Sequence, residues 1–121
     1  MTSIQHIINT DMHLHYDAIA LQEPYLDSYG NMRALRHWRV VYPITHPSAL
    51  PNPPSHSVIL VNTALNTNSW KQISFFSPNV TIVQFRGDHS LLTLFNIYSM
   101  LIATIVTFYR PSKPSLAKIY V

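Results

Sequence analysis

The chain contains a single glutamate, Glu23, within the stretch YDAIALQEPYLD at residues 16–27. The apolar run Ala18, Ile19, Ala20, Leu21, bounded by breakers, has the character of a buried strand. Pro24 follows Glu23 at once; it has no N–H to give a ladder and holds its predecessor extended, so Glu23 falls at the strand's carboxyl end. Open α/β sheets present ligand-binding groups at such ends. A carboxylate there is either a metal ligand or a solvated strand end. The other reactive residue types are scattered. Seven histidines are present, but His13 and His15 flank a polar N-terminal turn and His37, His46, His56 and His89 lie far apart in loop contexts, which predicts exposed, solvated imidazoles. With only Gly30 and Gly87 there is no glycine-rich phosphate loop. The absence of cysteine excludes disulfides, thiolate zinc sites and a cysteine nucleophile. No Ser/His/Asp set follows from spacing. Arg33, Arg36 and Arg39 suit either phosphate contacts or a solvated face, and Trp38 and Trp70 suit core or flap positions better than base-stacking platforms.

The elements that would position Glu23 follow from periodicity. Ile4, Ile7, Ile8 and Met12 form a stripe at helical spacing that Thr2 or Ser3 can cap, predicting a helix at 2–14. Strands are expected at 17–22, at 38–42 within HWRVVYP, at 57–62 within SVILVN, at 80–86 and at 91–98. Five prolines between 43 and 56 mark an extended loop or flap. The stretch from SVILV through the asparagine-rich turn NTALNTNSW, KQISFF, VTIVQF and LLTLFNIY reads as a meander, antiparallel at least in its final hairpin. One helix and about six strands make the expected class α+β.

Composition sets the frame. At 121 residues, 47% hydrophobic and 11% charged, the chain suffices for one modest core. Its net charge of +3 permits a phosphate-rich partner without demanding one. The start lacks the basic and apolar regions of a secretory signal, so the sequon Asn79-Val80-Thr81 is expected to go unused. From Leu91 to Tyr109, nineteen residues carry no charge. That length just spans a bilayer, although Thr93, Asn96, Ser99, Thr104 and Thr107 dilute it and its first half continues the strand pattern.

Taken in order, DAIALQEPYLD, NMRALRHWRVVYPITHP, HSVILVNTALNTNSWKQI and SPNVTIVQFRGDHSLLTLFNIY resemble the amino-terminal part of the endonuclease/exonuclease/phosphatase family. Within it they look most like the endonuclease domain of fungal LINE-type, non-LTR retrotransposons, which accompanies a reverse transcriptase. The resemblance covers about residues 4–98. It implies a partial endonuclease/exonuclease/phosphatase-type layered α/β sandwich, about half a domain, over residues 1–98, followed by a divergent apolar and basic tail at 99–121. It also implies that Glu23 matches the ligand of the catalytic Mg²⁺, and that Tyr98 matches a strand-end tyrosine facing the scissile phosphate, with Glu23 and Tyr98 side by side at one rim. Ser57 falls where the central strands begin and is expected to be structural. DNA is the implied partner, and a nuclear or cytoplasmic location goes with it.

The departures from the family pattern shape the expected activity. A strand with an asparagine precedes the helix in active members, and an asparagine after the tyrosine, an Asp-x-Asn pair and a distal Asp-His pair complete their catalytic set. None has a match here. The expectation is therefore a truncated, inactive relative of a Mg²⁺-dependent, phosphodiester-cleaving endonuclease, with a weak Mg²⁺ site at Glu23 and no small-molecule cofactor. The tail also fits a frameshift, because its codons read two bases later can give an asparagine-rich stretch common after the tyrosine in related elements. The alternatives are a non-catalytic nucleic-acid or protein binding module and a tail-anchored membrane protein using residues 91–109.

Overall fold

The computed structural model describes residues 11–24, 26, 31–32, 35–45, 55–87 and 91–98, together with the backbone of the strands at 103–109 and 119–120. The strands run β1 (Ala18–Gln22), β2 (Trp38–Val41), β3 (Ser57–Asn62), β4 (Trp70–Ile73), β5 (Val80–Arg86), β6 (Leu91–Tyr98), β7 (Ala103–Tyr109) and β8 (Ile119–Tyr120). They form two four-stranded sheets, ordered β2-β3-β1-β8 and β4-β5-β6-β7. Pairing is antiparallel except between β1 and β8, which run parallel.

The two sheets pack face to face because their strands alternate. Ala18 of β1, Val41 of β2 and Ile59 and Val61 of β3 meet Val83 and Phe85 of β5 and Leu92 and Leu94 of β6 in one buried cluster, with Trp70 and Leu65 packed against it. Each fully buried valine, leucine or isoleucine there contributes about 1.5–3 kcal/mol relative to exposure. The opposite parity of the first sheet, Ile19, Val58, Leu60 and Trp38, makes a second cluster with Met12 and Met32. This two-sided cover explains why every residue of SVILVN is buried, since a central strand with both faces packed reads as a continuous apolar run. Asn62 closes that strand: its Nδ2 donates to the carbonyls of His13 (2.8 Å) and Tyr16 (3.1 Å), and its Oδ1 accepts from the Ala64 N–H at 2.9 Å. The segment at 11–16 is thereby held over the outer layer. Asn66 caps the short 3-10 turn Thr67–Ser69, accepting from the Asn68 N–H, as the asparagine-rich turn suggested.

The expected α+β class, and with it the layered α/β sandwich of half a domain, is overturned: the described residues form a β-rich, almost wholly antiparallel fold with no α-helix among them. The helical content of that expectation rested on the stripe at 2–14. Residues 2–10 lie outside the described ones, and Met12–Leu14 forms only one 3-10 turn whose preceding Asp11 makes no side-chain cap. Met12 is buried, but the turn that carries it is only three residues long, so no α-helical face forms at the described end of the stripe. Among the described residues the two sheets cover one another's inner faces, and the inter-sheet core forms from strand residues with Leu65.

One further correction and one observation concern connectivity. The meander begins only at β4: β3 and β4 lie in different sheets, so the asparagine-rich turn crosses the sandwich instead of closing a hairpin. The charge-free stretch 91–109 contains β6 and β7, paired from Leu92 with Tyr109 to Tyr98 with Ala103. Ala103–Tyr109 contains a run of β-branched and aromatic residues, a composition that favours a strand. Among the described residues no helix is long and apolar enough to cross a membrane.

Candidate functional site

Strand alternation carries past the apolar core into a polar rim. Inward parity on β1 runs Ala18, Ala20, Gln22; on β3 it runs from Val61 and Ile59 to Ser57; on β5 from Phe85 and Val83 to Thr81; and on β6 from Leu92 and Leu94 to Asn96 and Tyr98. The registers Gln22 with Ser57 and Val80 with Ile97 bring these ends together at one end of the sandwich. Asn96 is fully buried and ties the two sheets. Its Nδ2 donates to the carbonyls of Leu21 (2.9 Å) and Val58 (2.7 Å), and its Oδ1 accepts from Gln22 Nε2. The Ser57 hydroxyl donates to the Asn96 carbonyl at 2.6 Å, and the Thr81 hydroxyl donates to the Ser57 carbonyl at 2.7 Å. Ser57 is thus structural, as the sequence suggested.

Glu23 reaches this rim through a backbone reversal. Regular alternation would send it to the outer face with Ile19 and Leu21. Instead Glu23 takes a φ of 48°, in the left-handed region that a residue with a Cβ occupies only when its surroundings over-determine it. The Glu23 N–H still donates to the His56 carbonyl at 2.8 Å, so the pairing of β1 with β3 continues while the side chain is re-aimed. The exposed Glu23 carboxylate lies beside the half-buried Tyr98 phenol. Side-chain hydrogen bonding with Glu23 first, then burial, then the Glu23 charge raise the phenol's pKa above the ordinary tyrosine value of 10.0. The structure therefore places Glu23 and Tyr98 together.

Three more residues complete the rim. The His56 ring stacks on Tyr98 with centroids 4.9 Å apart and planes 19° from parallel. The His56 N–H donates to the Pro78 carbonyl at 3.0 Å, and the Tyr98 N–H to the Asn79 carbonyl at 2.8 Å. Gln22 Oε1 and Asn79 Oδ1 are both buried and meet no hydrogen-bond donor among the described residues. The β4–β5 loop at this end also carries Phe75 and Phe76, both exposed.

The donors available to a cation are a carboxylate and amide oxygens, a hard set suited to Mg²⁺ and not to thiophilic metals. Among the described residues no group of three or more histidine, aspartate or glutamate side chains could hold a metal ion. A cation at Glu23 would thus rely on neutral oxygens and water for much of its shell.

His13, His37 and His56 are half-buried and not solvated as expected, whereas His15 is exposed. His13 and His37 stack with centroids 3.6 Å apart, and burial, then His13, then Arg36 lower the His37 pKa. Parallel stacked rings direct their nitrogen lone pairs in parallel planes, which does not suit joint metal ligation. Arg36 and Arg39 are exposed, whereas Arg33, His46, His89 and the tail's basic residues lie outside the described ones. Sequence reasoning missed Gln22, Asn96, His56 and Asn79. A signal existed for the first two: each is a polar residue at an inward position of an otherwise apolar alternation.

Compared with protein-family models, with curated proteins and with solved structures, the chain gives no significant match.

Proposed function

We propose that this chain is a non-cleaving relative of the Mg²⁺-dependent, phosphodiester-cleaving retrotransposon endonucleases, binding the DNA backbone at the Glu23–Tyr98 rim. The observation that carries the reading is the proximity of the Tyr98 phenol to the Glu23 carboxylate, one at the end of β6 and the other just past β1, strands of different sheets. The reading rests on this rim and not on the fold class. Glu23 would hold the Mg²⁺, which when bound supplies charge neutralisation at a phosphoryl oxygen. Tyr98, kept protonated by its environment, serves as a hydrogen-bond donor to such an oxygen and not as a base. Phe75 and Phe76 offer exposed aromatic faces beside the rim, suited to stacking on bases.

Cleavage needs more than these groups supply. Water activation calls for an imidazole oriented by a carboxylate. His56 is stacked face-on against Tyr98, and Glu23, the carboxylate at this rim among the described residues, is already engaged with Tyr98. The test is a DNA-binding titration alongside a plasmid-nicking assay, each with and without Mg²⁺. Binding strengthened by Mg²⁺, lost in Glu23→Gln, and unaccompanied by nicking is the expected result. Robust nicking that disappears in Glu23→Gln would refute the non-cleaving assignment.

One observation favours a second reading, a metal-independent nucleic-acid binding module. Lys71 and Arg86 line a shallow cleft with Asn68, Trp70 and Gln84, and Lys71 lies directly opposite Gln84 in the β4–β5 ladder. Two exposed cations beside an indole can follow a phosphate backbone. Salt-sensitive DNA binding that ignores both Mg²⁺ and Glu23→Gln, but weakens in Lys71→Ala with Arg86→Ala, would identify it.

A further inference from the structure

We propose that Gln22 and Asn79 complete the rim as cation ligands, so that with Glu23 they form a three-oxygen site for a hard divalent cation. This deepens the reading of Glu23 as a cation ligand and rests on it. Asn96 sets the orientation of its neighbour. Its Nδ2 is committed to two main-chain carbonyls, which leaves only its Oδ1 to face Gln22. The Gln22 amide must then turn its Nε2 toward Asn96, because the opposite orientation would set two acceptor oxygens against each other. The orientation of Gln22 is thereby fixed, and its Oε1 is left buried without a donor among the described residues.

Asn79 is constrained in a similar way. Its N–H donates to the Ser77 hydroxyl at 3.1 Å and its carbonyl accepts from the Tyr98 N–H at 2.8 Å. Its side-chain Oδ1 is also buried and undonated. Buried carbonyl oxygens are ordinarily satisfied, and each exception calls for an explanation. Two such oxygens at the rim that carries the Glu23 carboxylate call for a shared one.

The ligand they suit is electropositive and oxygen-seeking. A carboxylate with two neutral amide oxygens matches the preference of Mg²⁺, Mn²⁺ or Ca²⁺, and the remaining positions stay open to water or a phosphate oxygen. The backbone supports this independently. On a regular strand the side chains of residues 22 and 23 would point to opposite faces; the positive φ of Glu23 breaks that alternation, and its carboxylate acts on Tyr98 of the other sheet. A strained conformation at the one carboxylate of a rim that also carries two undonated oxygens is the arrangement expected at a binding site.

The test is Mn²⁺ binding to the full chain, followed by loss of the free-ion electron paramagnetic resonance signal, with circular dichroism to confirm that each variant folds. Wild type should bind saturably and Glu23→Gln should not. Asn79→Ala should weaken binding roughly tenfold, as loss of a supporting oxygen typically does, and Asn79→Asp should strengthen it by exchanging a neutral oxygen for a charged one. Gln22→Met should weaken binding as well. Because that variant also cuts a tie to Asn96, the two Asn79 variants decide the matter if it fails to fold. Saturable binding that is lost in Glu23→Gln yet unchanged in both Asn79 variants would overturn this proposal and leave Glu23 as a cation ligand. No saturable binding by wild type at millimolar Mn²⁺, or binding that survives Glu23→Gln, would overturn both.

Discussion

Glu23 holds a backbone conformation that glycine would hold more easily, and that difference can be measured. The perturbation is a pair of variants, Glu23→Gly and Glu23→Ala, each made in a Tyr98→Phe background. With the phenol absent, the interaction of Glu23 with Tyr98 no longer enters the comparison. What separates the two variants is then the φ of 48°. A left-handed residue with a Cβ costs about 1–2 kcal/mol. Glycine avoids that cost but loses more conformational freedom on folding, a penalty of roughly 0.5–1 kcal/mol relative to alanine. The difference favours Glu23→Gly over Glu23→Ala by about 0.5–1 kcal/mol, a rise of roughly 2–5 °C in Tm for a chain of this size. Urea titration with a common slope gives the same quantity as a shift in midpoint. Equal stability of the two variants, or a more stable Glu23→Ala, would show that the backbone at 23 is not left-handed, and the re-aiming of the carboxylate toward Tyr98 would lose its basis.

Three other outcomes are expected. Asn96→Leu removes three side-chain hydrogen bonds from the buried seam between the sheets; at about 0.5–1.5 kcal/mol each the chain should lose roughly 2–4 kcal/mol by urea denaturation, and a neutral result would mean the seam does not couple the sheets. The Tyr98 phenol should titrate above 10.0 by ultraviolet difference spectroscopy and move down toward that value in Glu23→Gln, since the Glu23 hydrogen bond is the leading cause of its raised pKa; an unmoved titration would separate the two residues. The His37 pKa lies below 6.5 through burial, His13 and Arg36, so the folded state binds fewer protons than the unfolded one. Its contribution to stability is then complete above 6.5 and lost as pH falls through the lowered folded value; the decline in urea midpoint from neutral to mildly acidic pH should be shallower in His37→Gln, and an unchanged slope would remove His37 from the account.

The sequence made most of the strands legible because their information is local. The observed bounds Ser57–Asn62, Val80–Arg86 and Leu91–Tyr98 agree with the expected ranges, since β-branched and aromatic runs between breakers carry the strand signal within themselves. What was not legible is how strands partition between sheets. Nothing in NTALNTNSW distinguishes a hairpin turn from a crossing between sheets, because the Asn62 and Asn66 side chains accept from the turn's Ala64 and Asn68 N–H groups in either case. The strand Ala103–Tyr109 was obscured for a different reason: the uninterrupted lack of charge from 91 to 109 invited a reading as one segment, and two adjacent strands of a hairpin produce the same composition. The helical stripe failed at its described end, where Met12 reaches a core through a single 3-10 turn.

The rim shows the same boundary between local and non-local information. Parity alone selects Gln22 in AIALQ and Asn96 in LLTLFNIY as polar residues facing inward, and two inward polar residues in separate apolar strands imply that they meet, since each needs a partner on burial. Their hydrogen bond fulfils that implication. Glu23 is the opposite case. Its place at a strand end follows from Pro24, but alternation assigns it the wrong face, and only its positive φ corrects the assignment. Glutamate gives no local sign of such a conformation, which glycine and asparagine adopt far more readily. The conformation goes with the Glu23 N–H bond to His56 and with the Tyr98 phenol beside the carboxylate, groups that lie 33 and 75 positions away along the chain. The location of the candidate site was therefore within reach of the sequence, while the direction of its one carboxylate depends on contacts that exist only after the two sheets have docked.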